Sequence, residues 1–148
     1  MDETGLDTFL HREYARAPRG QRITGMVPGK KFNRTNIVAG KCCDRILSPL
    51  QYDGSTDSRI FEFWFGKILL KEITAGSFII MDNASFHRKS KLIALAEKAR
   101  HRLIFLPPYS PELNHIEYFW NWLKRYLRKI LPVHSSFDAA LCSAFQVL

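Results

Sequence analysis

Long apolar runs are missing from this chain. No stretch approaches the ~18 residues needed to cross a bilayer as a helix, so a helical membrane span is excluded. The first residues, Met1-Asp2-Glu3-Thr4-Gly5, have neither the basic nor the apolar stretch of a secretory leader. Cysteine is scarce. Cys42, Cys43 and Cys142 show neither the spacing of a metal site nor a disulfide framework, and a reduced, cytoplasmic setting is expected. Acids are also in short supply, with 14 Asp and Glu against 22 Lys and Arg, a net charge of +8. Such a field favours polyanionic partners, although a basic surface also serves plain solubility. There is no internal repeat and no low-complexity linker. At 148 residues, one domain spanning 1–148 is expected.

Turn signals and periodicity then divide the chain. Asp2 to Leu10 reads as an opening strand. Arg22 to Val27 and Thr35 to Lys41 read as strands flanking the turn Pro28-Gly29-Lys30. Ile46 to Tyr52 is a third strand, with Pro49 marking an edge or an irregularity. From Ser58 to Lys71 the period is helical, and Ile60, Phe61, Phe63, Trp64, Phe65, Ile68 and Leu69 predict a broad buried face. Ser77 to Asp82 reads as a buried strand, Arg88 to Arg100 as a helix with Leu92, Leu95 and Ala99 inward, and Arg102 to Leu106 as a strand. Asn114 to Ile130 is the clearest helix, and Phe137 to Leu148 a short last one. Antiparallel strands followed by alternating helices and strands predict an α/β fold, a mixed sheet flanked by helices in the order of the ribonuclease-H-like fold.

Two acids stand out against the basic background. Asp82 ends the apolar run Ser77-Phe78-Ile79-Ile80-Met81, and Glu117 opens the longest helix. A strand that ends in Asp delivers its carboxylate to the mouth of a sheet, where α/β proteins bind ligands. Asp2, on the opening strand, joins them if that strand neighbours Ser77–Asp82. Carboxylate oxygens are hard ligands suited to Mg²⁺ or Mn²⁺, and two such ions can clamp both oxygens of a phosphodiester displacement. Three acids brought this close repel one another, so at least one should have a raised pKa. Each acid also has a structural alternative. Asp82 before Asn83 can start a turn, Asn114 and Glu117 have the spacing of a capping box, and Asp2 can be merely solvated. Glu3 alternates away from Asp2 and is left out of the predicted set.

Other polar residues are candidates to contact DNA. His87 and Asn83 follow Asp82 closely enough to meet a phosphate, or to hold the loop. On the long helix Glu117, Asn121, Lys124 and Arg128 share one side, which places Lys124 and Arg128 to meet phosphates beyond the acids or simply to face solvent. Trp120 and Phe119 read as core.

The segment Ile80-Met81-Asp82-Asn83-Ala84-Ser85-Phe86-His87, with Leu106-Pro107-Pro108-Tyr109-Ser110-Pro111-Glu112-Leu113-Asn114-His115-Ile116-Glu117, resembles the catalytic core of mariner-like bacterial insertion-sequence transposases of the DDE superfamily. The 34 residues between Asp82 and Glu117 are typical of that group, and Met1-Asp2-Glu3-Thr4-Gly5 resembles the segment bearing its first catalytic Asp. The resemblance implies a DDE site in which Asp2, Asp82 and Glu117 hold two Mg²⁺, with Mn²⁺ as a substitute. It also implies water-dependent nicking of transposon ends, then attack of the freed 3′-hydroxyl on target DNA. A homo-oligomer pairing the two ends in the bacterial cytoplasm, associated with the nucleoid, is expected as well. Relatives carry a helix-turn-helix region ahead of the core. None is read here, and the first strand is expected to be truncated. Two other readings remain at this point: a metal nuclease that cuts without joining, and an inactive remnant that binds DNA or a partner transposase.

Overall fold

The computed structural model describes residues 1–7, 17–21, 34–108 and 110–147. The expected strand Arg22–Val27, its following turn, the tail of the opening strand beyond Asp7, and Tyr109 lie outside the described residues.

Strand β1 (Asp2–Asp7) pairs antiparallel with β2 (Arg34–Cys42), from Asp2 opposite Ala39 to Asp7 opposite Arg34. Strand β2 pairs antiparallel with β3 (Arg45–Asp53), which forms the sheet edge expected from Pro49. The register slips between Val38 and Gly40, because β3 carries an extra residue there. Ser48, in this bulge, takes a left-handed φ of 49°, and its carbonyl accepts a 2.6 Å hydrogen bond from the buried Trp64 indole. A bulge re-aims the strand locally, and here it satisfies a polar atom the core would otherwise strand.

Helix α1 (Ser58–Trp64) is capped by the Asp57 carboxylate, which accepts from the backbone N–H groups of Arg59 and Ile60. It continues through a π-helical turn, Phe65–Leu69, into a final turn α2 (Leu70–Glu72). Strand β4 (Phe78–Met81) then runs parallel to β5 (Arg102–Phe105), with helix α3 (Lys89–Lys98) as the crossover. A 3₁₀ turn, Pro111–Leu113, precedes helix α4 (Ile116–Ile130), and helix α5 (Phe137–Gln146) follows. The two sheets meet where the Met1 amino group donates to the Ile80 carbonyl at 2.8 Å, which sets the start of β1 beside β4.

Two cores cover opposite faces of the β1–β3 sheet. Val38 and Leu47 pack with Phe61, Trp64, Phe65, Leu69, Met81 and Leu92 on the α1–α3 side. Leu6, Ile37 and Ala39 pack with Ile116, Trp120, Leu123 and Leu127 of α4 and with Ala140, Leu141 and Ala144 of α5. Phe119 and Trp120 are core residues, as expected.

Two sequence expectations are corrected. Strand β4 is not buried on both faces: Phe78 is 63% exposed and Ile80 44%, while Ile79 and Met81 are enclosed. A continuous apolar run conceals the two-residue alternation that decides which side chains find a partner. Phe63, placed in the buried face of α1, is 59% exposed. It points away from Phe61 and Phe65 because positions two apart on a helix diverge by about 200°. Within α3, Ala96 joins Leu92 in the core, whereas Leu95 and Ala99 are only partly covered.

Leu123 is fully buried between α4 and the sheet. Leu123→Ala is expected to lower unfolding free energy by about 2–5 kcal/mol, measured as a shift in the urea midpoint at unchanged slope.

Candidate active site

Strand pairing assigns Asp2 and Glu3 to opposite faces. Asp2 is opposite Ala39, which packs under α4, whereas Glu3 is opposite Val38, which packs toward α1 and α3. Asp2 is therefore turned toward the helix that carries Glu117, and Glu3 toward the segment that carries His87. Asp82, one residue past the end of β4, lies at the junction and feels both.

Asp2, Asp82 and Glu117 line one cleft of about 440 Å³. Asn83, Ala84 and Ser85 form one wall, and Leu106, Pro107, Pro108, Ser110 and Pro111 form another. The prolines fix this second wall, since their φ angles are locked. Asn114 does not cap α4 through its side chain. Its backbone carbonyl accepts from the Glu117 N–H at 3.0 Å, and Asn114 lies buried at the cleft floor. The capping-box alternative for Asn114 and Glu117 is therefore not realised.

Burial and mutual repulsion show in the titration of these groups. Burial, then the charges of Glu117 and Asp82, raise Asp2 to about 7 against the pull of a backbone hydrogen bond and the amino terminus. Burial, then Asp2 and Asp82, raise Glu3 to about 8. Asp82 moves the other way. Burial works to raise its pKa, but a hydrogen bond and the charge of His87, with the Ala84 backbone N–H, hold it below the usual carboxylate range. His87 Nε2 lies 3.2 Å from Asp82 Oδ1. An ionised carboxylate only accepts, so the imidazole proton in that bond sits on Nε2. The His87 ring is wedged between Phe61 and Phe86, with centroids 4.3 and 4.1 Å away, and its Nδ1 is buried without a partner.

Sequence reasoning passed over Glu3. Its alternation away from Asp2 was read correctly, but its face of β1 is not solvent. Glu3, Asp82 and His87 offer ligand atoms within 4.8 Å of one another, and Glu3 Oε1 is buried without a hydrogen-bond partner. The usable signal was the apolar neighbour across the strand, Val38, which marks that face as covered. Lys124 and Arg128 do not line the cleft. They continue along the Glu117 side of α4, Arg128 about 16 Å beyond the acid at 1.5 Å per residue.

The cleft suits a hard divalent cation. Among the described residues its lining gathers carboxylates without a Lys or Arg, and a cation there would relieve the repulsion that helps to raise Asp2. Comparison with protein families finds a match over residues 1–138 to the family described as DDE superfamily endonuclease. Comparison with curated proteins finds no match.

The raised pKa values set a pH dependence. Asp2 and Glu3 bind protons more tightly folded than unfolded, so their contribution to stability is full below about pH 4. It is lost as the pH rises through about 7 and 8. The depressed Asp82 acts in the opposite sense, but at lower pH. The metal-free protein is therefore expected to lose thermal stability between about pH 5 and about pH 8. Added Mg²⁺ should raise the melting temperature more at the upper end, where the ligands are deprotonated. Thermal unfolding in EDTA and in MgCl₂ checks this, and an equal Mg²⁺ effect at both ends would exclude carboxylate ligation.

Proposed function

The chain belongs to the DDE superfamily of endonucleases, and from that membership and the acidic cleft we propose that it is the catalytic domain of a DNA transposase of the mariner-like, bacterial insertion-sequence type. The observation that carries the reading is the convergence of Asp2, Asp82 and Glu117, from β1, the end of β4 and the start of α4, on one cleft. Residues so far apart in sequence and so alike in chemistry meet in a lining that holds no Lys or Arg among the described residues. The separation of Asp82 from Glu117 and the Pro107-Pro108-Tyr109-Ser110-Pro111 segment support the mariner-like assignment. The order of the elements supports a ribonuclease-H-like arrangement of both sheets, with 1–148 acting as one catalytic domain.

In this reading Asp2, Asp82 and Glu117 hold two Mg²⁺, or Mn²⁺, which supply Lewis-acid chemistry to a phosphodiester when bound. His87 orients Asp82 through its Nε2 proton and, by depressing the pKa of Asp82, keeps that ligand ionised at neutral pH. Asn83 and the proline wall shape the space beside the reacting phosphate. A water oxygen displaces the 3′-oxygen of the bond at a transposon end. The freed 3′-hydroxyl then attacks a phosphorus atom of target DNA and expels its 3′-oxygen. The net charge of +8 favours encounter with both DNA partners. Lys124 and Arg128, further along α4, are the proposed contacts to flanking phosphates, and a homo-oligomer pairs the two ends.

Asp82→Asn, Glu117→Gln and Asp2→Asn are each expected to lower Mg²⁺-dependent nicking by about a thousandfold, since metal stabilisation of phosphoryl charge is worth several kcal/mol. Their folded state is checked by thermal unfolding. Pre-nicked transposon ends incubated with target DNA should give joined products. Cleavage without joining would reassign the chain as a nuclease, and salt-sensitive DNA binding without any nicking would mark it as an inactive relative.

A further inference from the structure

On the far side of the α1–α3 core lies a second concave surface that the acidic cleft does not use. It is a groove of about 690 Å³ between the α1–α2 segment and α3. Along the first wall Arg59, Phe63, Lys67 and Lys71 recur every four residues and all line the groove. Lys91, Lys98 and Arg88 line it from the α3 side. Among the described residues that line it the only acid is Glu62, and that charge is already paired. The Arg88 guanidinium holds both Glu62 oxygens, at 2.5 and 2.6 Å, and Lys91 Nζ lies 2.6 Å away. Burial alone would raise the Glu62 pKa, but these hydrogen bonds and charges overcome it and hold the group below its ordinary value. The groove therefore carries a large excess of positive charge, and Glu62 serves to fix Arg88 and Lys91 across it.

Phe63 gives this charge a more particular meaning. It is the one large apolar side chain of α1 turned outward, 59% exposed, and it stands between Arg59 and Lys67 in the basic row. A solvated lysine face has no use for an exposed aromatic ring. Cations spaced along a groove with an aromatic platform between them is the pattern by which proteins hold unpaired nucleic-acid strands, phosphates on the cations and a base on the ring. The row from Arg59 to Lys71 spans ~18 Å at helical rise, long enough to follow several phosphates of one strand.

We propose that this groove is a binding site for unpaired DNA, in which Lys67, Lys71 and Lys98 contact phosphates and Phe63 stacks a base. The inference rests on the reading of the protein as a DNA enzyme but places a strand outside the reacting cleft.

The test is binding of fluorescently labelled oligothymidylate, and of a duplex of equal length, measured by anisotropy in EDTA over a salt series. Phe63→Ala is expected to weaken oligothymidylate binding about tenfold and duplex binding by less than about twofold, with Phe63→Trp restoring the single-strand affinity. Lys67→Ala/Lys71→Ala/Lys98→Ala should reduce the slope of log affinity against log salt by about 2, at ~0.7 per phosphate of a single strand. These side chains lie on the surface, so a loss of folding is separately visible in the melting temperature. Unchanged single-strand binding by Phe63→Ala, or an unchanged slope in the triple variant, overturns the proposal. Absence of Mg²⁺-dependent nicking with these binding differences intact would count against the catalytic reading alone.

Discussion

Carboxylates crowded where β1, the end of β4 and the start of α4 meet, with no lysine or arginine among the described residues that line their cleft, govern the rest of this structure. Asp2, Asp82 and Glu117 come from three elements and line one cleft, and Glu3 approaches Asp82 from the other face of β1. Among the described groups the His87 imidazole answers Asp82, and the Met1 amino terminus draws Asp2, Glu3 and Asp82 downward without offsetting the burial of the first two. The consequence is a divided set: one carboxyl kept ionised by an imidazole, and two pushed toward neutral pH by burial and by their neighbours. Such a set is poised to exchange protons for divalent cations, because the same repulsion that raises Asp2 and Glu3 is relieved by positive charge between them.

Holding that arrangement requires a stiff frame. Asp82 and Glu117 are tied to regular elements. Asp82 follows a strand clamped by parallel pairing to β5 and by the Met1–Ile80 hydrogen bond, and Glu117 rides on a helix whose opposite stripe is wholly buried. His87 is gripped by Phe61 and Phe86, so the group that sets the charge of Asp82 is itself positioned by the α1–α3 core. The bulge at Ser48 and the Trp64 indole belong to the same core. Hydrophobic packing thus fixes the electrostatics, through side chains that never touch the cleft.

Much of this was legible residue by residue. The helical stripe of α4 was plain because Ile116, Trp120, Leu123 and Leu127 recur on one face against a charged background. Pro49 announced an edge or an irregularity, and the apolar run before Asp82 announced a strand with an acid at its mouth. The failures share a cause. Phe63, Phe78 and Ile80 are apolar, and apolar residues were assigned to the interior, yet each is exposed. Glu3 alternates away from Asp2 and was left out of the predicted set, yet Val38 and the His87 segment cover its face. Hydrophobicity states what a side chain prefers, whereas burial depends on whether another element arrives to cover it.

The order of residues by itself determined the inventory: which elements form, that three acids terminate or open separate ones, and that positive charge exceeds negative. Tertiary structure alone decided that Asp2 turns toward α4 and Glu3 toward α3, that Glu62 is neutralised across a groove, and that Phe63 is left outside. Periodicity assigns a residue to one side of its own helix or strand. The neighbour that side will meet depends on the packing of segments distant in the chain, and no local pattern encodes it.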